Sequence, residues 1–148
     1  MKVLKVRVAV AACLALGACE TMPAGPAAPP QPAVIPTAAL DLGDWRHASA
    51  DAELSGFEQL VTRRYGAGLQ LGAVVADLRR VQFTCAANHD THRGDPPAQI
   101  CRKTVTENGC THTWQVHLFD TGGDAVLART RGLYDRRCGG DGLLGGPS

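Results

Sequence analysis

Apolar residues recur along this chain in three rhythms. Val8 to Leu16 is an unbroken apolar run of nine residues. Further on, Leu54, Phe57, Leu60, Val61 and Tyr65, and then Leu71, Val74, Val75, Leu78 and Val81, return at the spacing of one helix face. These predict amphipathic helices over about 50–65 and 71–81, separated by Gly66 and Gly68. Ser49 is placed to cap the first, with Asp51 and Glu53 in its opening turn. Arg63 and Arg64, like Arg79 and Arg80, fall in the last turn of each helix, where they read as exposed cations answering the carbonyl ends.

Beyond Val81 the period shortens to two. Phe83-Thr84-Cys85 predicts the start of a strand, 86–99 a polar loop, and Cys101 to Glu107 a β-branched strand. Asn108-Gly109 is the signature of a two-residue hairpin turn. The answering strand, Cys110 to Phe119, carries Cys110, His112, Trp114, Val116 and Leu118 on one face, which leaves His117 on the other, exposed to solvent. After the turn at 120–124, a further strand is expected from Ala125 to Tyr134, and 139–148 is a Gly-rich tail. The fold class that follows is α+β, with two helices packed on a three- to four-stranded antiparallel sheet. This single domain spans 40–138 and opens with a lead-in that contains Trp45.

The first rhythm belongs to a different kind of segment. Lys2, Lys5 and Arg7 precede the run at Val8–Leu16, and Leu16-Gly17-Ala18-Cys19 closes it with small residues. A bilayer span needs about 20 apolar residues, so 1–18 reads as a cleaved export signal. The Leu-Gly-Ala-Cys ending resembles the lipobox of bacterial lipoproteins, which implies that Cys19 is lipidated and begins the mature chain. Multiple acyl chains on one residue would anchor it stably to a membrane. Glu20 rather than Asp follows Cys19, which by the enterobacterial sorting rule implies an outer-membrane anchor facing the periplasm. From 19 to 39 the chain is rich in Pro and Ala, a tether that could reach roughly 60 Å if extended as polyproline II.

Of the 148 residues, about a hundred remain for the domain, enough for one hydrophobic core. The formal charge of +1 includes the three leader cations; without them twelve basic residues face fourteen acidic ones, a net −2. No global field favours nucleic acid, and only seven residues are aromatic, too few to suggest base stacking.

Six cysteines occur, of which Cys85, Cys101, Cys110 and Cys138 lie in the domain. An even number in an oxidising compartment reads as two disulfides. Intervals of 15, 8 and 27 residues contain no C-x-x-C pair and argue against zinc. If Phe119 and Ala125 flank the second turn, Cys110 falls opposite about Tyr134, close to Cys138, and Cys101 opposite about Gln115. Cys101 and Cys110 are then too far apart to bridge, so Cys85–Cys101 and Cys110–Cys138 are the expected pairs.

Gly68-Leu69-Gln70 with Val74 and Leu78 resembles the opening of the second helix in the SmpA/OmlA (BamE-like) family of small outer-membrane lipoproteins. That resemblance, about a dozen residues long, implies two helices before an antiparallel sheet. The chain departs from the family at the end of that helix, where Arg79 to Cys85 runs on without a Gly-x-Pro.

No nucleophile elbow, phosphate loop or zinc-protease motif occurs, so no enzyme class is indicated, and no cofactor is called for. Two clusters of polar residues stand out. His89, Asp90, His92, Arg93 and Asp95 crowd the 86–99 loop, where a protein partner could be contacted; His89 and His92 could alternatively ligate a metal ion. Arg129, Arg131, Arg136 and Arg137 crowd the last strand and read as charges that protect a sheet edge. The expected function is a lipid-anchored, non-enzymatic envelope protein binding a periplasmic or outer-membrane protein partner. An inhibitor that inserts the 86–99 loop into a hydrolase such as lysozyme is the alternative.

Overall fold

The computed structural model describes residues 34–90 and 94–139. Its elements are α1 (Ala50–Arg64), α2 (Leu71–Arg80), β1 (Thr84–Ala87), β2 (Gln99–Glu107), β3 (Cys110–Asp120) and β4 (Leu127–Cys138). The strands form one antiparallel sheet in the order β1-β2-β3-β4. This is the α+β arrangement that the change of period predicts. Cys19 and the lipobox lie outside the described residues, as do His92, Arg93 and the chain from 140 on.

Ser49 caps α1 as expected, its Oγ accepting from the Ala52 N–H at 3.2 Å. Phe57 and Val61 of α1, Tyr65 at its end, and Leu71, Val74 and Leu78 of α2 are buried with Trp114, Val116 and Leu118 of β3. Both helices therefore cover the same face of the sheet. Leu40 and Trp45 of the lead-in complete this core, with the Trp45 ring 5.2 Å from that of Trp114. Gly132 of β4 lets α1 lie directly on the strand, because a Cβ there would stand 2.9 Å from the Glu58 Cα and 3.1 Å from the Phe57 ring.

Glu107 faces Cys110 across Asn108 and Gly109, whose φ values of 52° and 77° are those of the tight primed turn that Asn-Gly favours. The second turn departs from expectation. Cys110 lies opposite Cys138, not Tyr134, and Cys101 opposite Val116, not Gln115. The Cys101 pairing follows from the two-residue turn that sets Glu107 opposite Cys110, and the Cys110 pairing from a longer second reversal: the register shifts after Phe119, Ala125 takes a left-handed φ of 61°, and Val126 bridges to Gln70. β4 consequently starts at Leu127 rather than Ala125. It ends at Cys138, four residues past Tyr134.

Both expected disulfides are present, and each joins residues directly opposite one another, Cys85–Cys101 across β1 and β2 and Cys110–Cys138 across β3 and β4. They brace the two outer strands to the middle of the sheet.

Arg64 corrects the reading of the helix-end arginines. It is buried, and its Nε donates to Asp77 Oδ2 of α2 at 2.9 Å. Asp77 also accepts from the Tyr65 hydroxyl at 2.7 Å and from Arg80. Burial pulls the Asp77 pKa up, but the hydrogen bonds from Arg64, Arg80 and Tyr65 outweigh it and hold the carboxyl below its ordinary value. Burial together with the same carboxylate pushes the Tyr65 hydroxyl well up. The other arm of Arg64 donates to the carbonyls of Pro36 and Ala38, at 3.1 and 2.6 Å. Pro36 and Ala38, which fall in the expected tether, are thus held against the helices.

Candidate interaction surface

Alternation along the strands gives the sheet a second face with no helix on it among the described residues. β3 presents Thr111, Thr113, Gln115, His117 and Phe119 there, flanked by Ile100 and Arg102 of β2 and by Arg129, Arg131 and Leu133 of β4. The β3 residues on this side are half-exposed apart from Phe119, whereas their neighbours on the helix side are buried.

Two arginines and a histidine define its middle. Arg131 stands directly opposite His117, and Arg102 opposite Gln115, to whose Oε1 it donates at 3.3 Å. His117 is half-buried rather than solvent-exposed, as its position on the helix-free face had suggested, and its Nε2 has no hydrogen-bond partner among the described residues. Burial, then the charges of Arg131 and Arg102, hold its pKa below the ordinary 6.5.

At the end of the same face, the Arg129 guanidinium lies 3.4 Å above the centre of the Phe119 ring and its Nη2 meets Asp95 Oδ2 at 2.5 Å. Asp95 thus ties the β1–β2 loop to β4. His89 and Asp90, at the start of that loop, are exposed beside an Asn88 turn in which Asn88 Oδ1 accepts from the Asp90 N–H at 3.2 Å. Of the five loop residues singled out in the sequence, Asp95 is brought onto the sheet face, and His92 and Arg93 lie outside the described residues. Among the described residues no three His, Cys, Asp or Glu side chains gather as a metal site.

The remaining charged candidates go elsewhere. Arg136 reaches back to the Ala48 carbonyl at 3.5 Å and Arg137 pairs with Asp135 at 2.9 Å. His112, on the helix side, is buried as the pattern suggested: its Nδ1 lies 2.7 Å from the Tyr134 hydroxyl, under the Trp45 ring at 4.6 Å. Burial raises the Tyr134 pKa, Arg136 opposes this, and Glu53 and Asp135 add to it. The Trp114 indole N–H is taken up by Glu53 Oε1 at 2.8 Å, so this carboxylate, expected at a helix start, is a buried acceptor.

Sequence reasoning placed His117 on this face but missed Arg102 and Gln115 beside it, because single polar residues alternating with a buried stripe carry no motif. Their shared parity across β2, β3 and β4 was the available signal. No protein-family model, curated protein or solved structure matches the chain.

Proposed function

We propose that this chain is a lipid-anchored protein of the bacterial cell envelope that binds a protein partner and does no catalysis. Cys19 is its lipid attachment on the periplasmic side of the outer membrane, the Pro/Ala-rich segment sets its reach, and the disulfide-braced domain makes the contact. With the resemblance to the SmpA/OmlA family, the role proposed is envelope assembly or maintenance.

The observation that carries the partner-binding part is the helix-free sheet face. Protein interfaces favour arginine and aromatic residues over lysine and glutamate, and Arg102, Arg131 and the Arg129–Phe119 stack make that composition here. A face braced at both outer strands loses little conformational freedom on binding, which lowers the cost of association.

The hydrolase-inhibitor reading rests on a separate observation. The 86–99 loop is closed at its base by Cys85–Cys101 and tied to β4 through Asp95–Arg129, two constraints that suit an inserting loop. Replacing His89 to Arg93 by Gly and Ser, which spares Asp95 and its bond to Arg129, separates the two, since it removes inhibition and leaves a sheet-face contact in place.

The direct test compares wild type with Cys19→Ser in the native host. Acylated Cys19 by intact mass, together with one envelope protein that crosslinks to wild type and is lost with the serine variant, is the expected result. An unmodified Cys19, or a partner captured equally by both, would refute the anchored reading.

A further inference from the structure

The sheet is unfinished along its β1 side. β1 is four residues long and pairs only with Gln99 to Arg102 of the nine-residue β2. Lys103 to Glu107 therefore has β3 on one side and, among the described residues, no strand on the other. In an antiparallel sheet the backbone groups of alternate residues point to opposite neighbours. The Asn88 N–H donates to the Ala98 carbonyl at 3.0 Å, so Thr84, Ala86 and Asn88 face β2. Cys85 and Ala87 then face outward, and Arg79 Nη2 approaches the Cys85 carbonyl from that side at 3.5 Å. Thr104 and Thr106 continue the same free margin along β2.

Two features set this margin apart from the opposite one. The start of β4 is closed by the α1–α2 loop, with Gly68 N–H donating to Leu127 O and Leu127 N–H to Leu69 O, each at 2.8 Å, and its flank carries Arg129, Arg131, Arg136 and Arg137. The β1 strand, Thr84-Cys85-Ala86-Ala87, carries no charge and no proline, the devices that keep an edge from pairing. Beside it runs an open groove of about 600 Å³, floored by Thr84, Ala86 and Ile100 and edged by Arg102 and Lys103. No carboxylate lines the groove among the described residues. Among the described residues Arg102 is held by the neutral Gln115, Lys103 by the Val81 carbonyl at 3.0 Å, and Arg79 by the Cys85 carbonyl.

We infer that this margin takes up an extended acidic segment of a protein partner, which adds as a fifth strand beside β1. Its backbone groups bond to those of Ala87 and to the Cys85 N–H, and its carboxylates lie against Arg102 and against Arg79, which holds the Cys85 carbonyl. Strand addition of this kind draws affinity from main-chain hydrogen bonds and specificity from side chains. The inference rests on the reading of the domain as a protein-binding module and gives that module a second contact, at the edge of its open face.

The test uses the full chain in detergent micelles and three end-capped heptapeptides: Glu-Val-Glu-Val-Glu-Val-Glu, the same with Lys for Glu, and the acidic peptide N-methylated at alternate amides. The acidic peptide should slow hydrogen exchange of the Cys85 and Ala87 amides at least tenfold, the N-methylated one should leave them unchanged, and Arg102→Glu should weaken acidic-peptide binding about tenfold. Equal protection by the lysine peptide, or equal binding by the N-methylated one, overturns the inference, as does an absence of protection by any of them. Protection that grows with protein concentration and needs no peptide makes the occupant a second copy of this chain, and also overturns it. A chain that ignores all three peptides yet still crosslinks to an envelope protein from its sheet face refutes only this inference, leaving the proposed function in place.

Discussion

On the helix side of the sheet the charged and polar residues that are buried whole are answered from within the chain, Glu53 by Trp114, Arg64 by Asp77 and His112 by Tyr134, and among the described residues the Thr130 hydroxyl is the exception there, buried without a partner. On the other side, Arg131 has no carboxylate partner among the described residues, Arg102 has only an amide, and the His117 Nε2 has none. The same strands build both sides, so the difference lies in which parity of residue is chosen. Groups satisfied internally hold the fold, and changing one costs stability. Groups left for something else should cost little stability and much binding, and this contrast is open to direct attack.

The largest effect is expected at Asp77. Asp77→Asn leaves the Arg64 guanidinium buried without its counter-charge, and breaking such a pair from one side costs about 3–5 kcal/mol. Urea denaturation should show that loss, and faster exchange around Ala38 should accompany it, because the same arginine holds the 36–38 carbonyls. Next, Cys110→Ser with Cys138→Ser opens a loop of sequence separation 28, for which chain entropy alone gives about 3–4 kcal/mol. Non-reducing denaturation melts of the pair of variants check it. Gly132→Val pushes a side chain into the α1 backbone and should cost about 1–3 kcal/mol by the same melts.

The open side should respond in the opposite way. Arg131→Thr changes stability by less than about 0.5 kcal/mol but should weaken the partner interaction, readable as lost crosslinking at unchanged melting temperature. His117 gives the smallest and most specific effect. Its folded-state pKa lies below the ordinary 6.5, so as pH falls the unfolded chain takes the proton first. Stability is therefore lost from about pH 6.5 downward, until the folded imidazole itself titrates. His117→Gln removes that contribution, and the gap between melting temperatures at about pH 7.5 and about pH 5.5 should narrow.

What was legible in the sequence follows the same division. Periodicity gave both helices within a residue or two, Asn108-Gly109 gave the hairpin, and cysteine placement on the strands gave both bridges. The β3–β4 register was misread by four residues, since the left-handed turn at Ala125 and the bridge from Val126 to Gln70 have no local sequence signature. The buried ion pair was hidden by its residue types. Arg64 lies seven residues after Phe57 and three after Val61, and Asp77 three after Val74, so both sit on apolar helix faces. Opposite charges on two consecutive apolar stripes were a signal of mutual burial that helix-end rules obscured. The open sheet face was legible only as parity, once the strand pairing was known, because its polar residues carry no motif of their own.

The account stands or falls on which face meets the partner. Photo-crosslinking residues placed singly at Gln115, in the middle of the helix-free face, and at Thr62, on the exposed side of α1, can be irradiated in native envelopes and the adducts resolved by mass spectrometry. One specific protein adduct from position 115, with none from position 62, is the predicted result. Adducts from position 62 alone, or from neither position while the chain is present and folded, would contradict the proposal that the open sheet face is the binding surface.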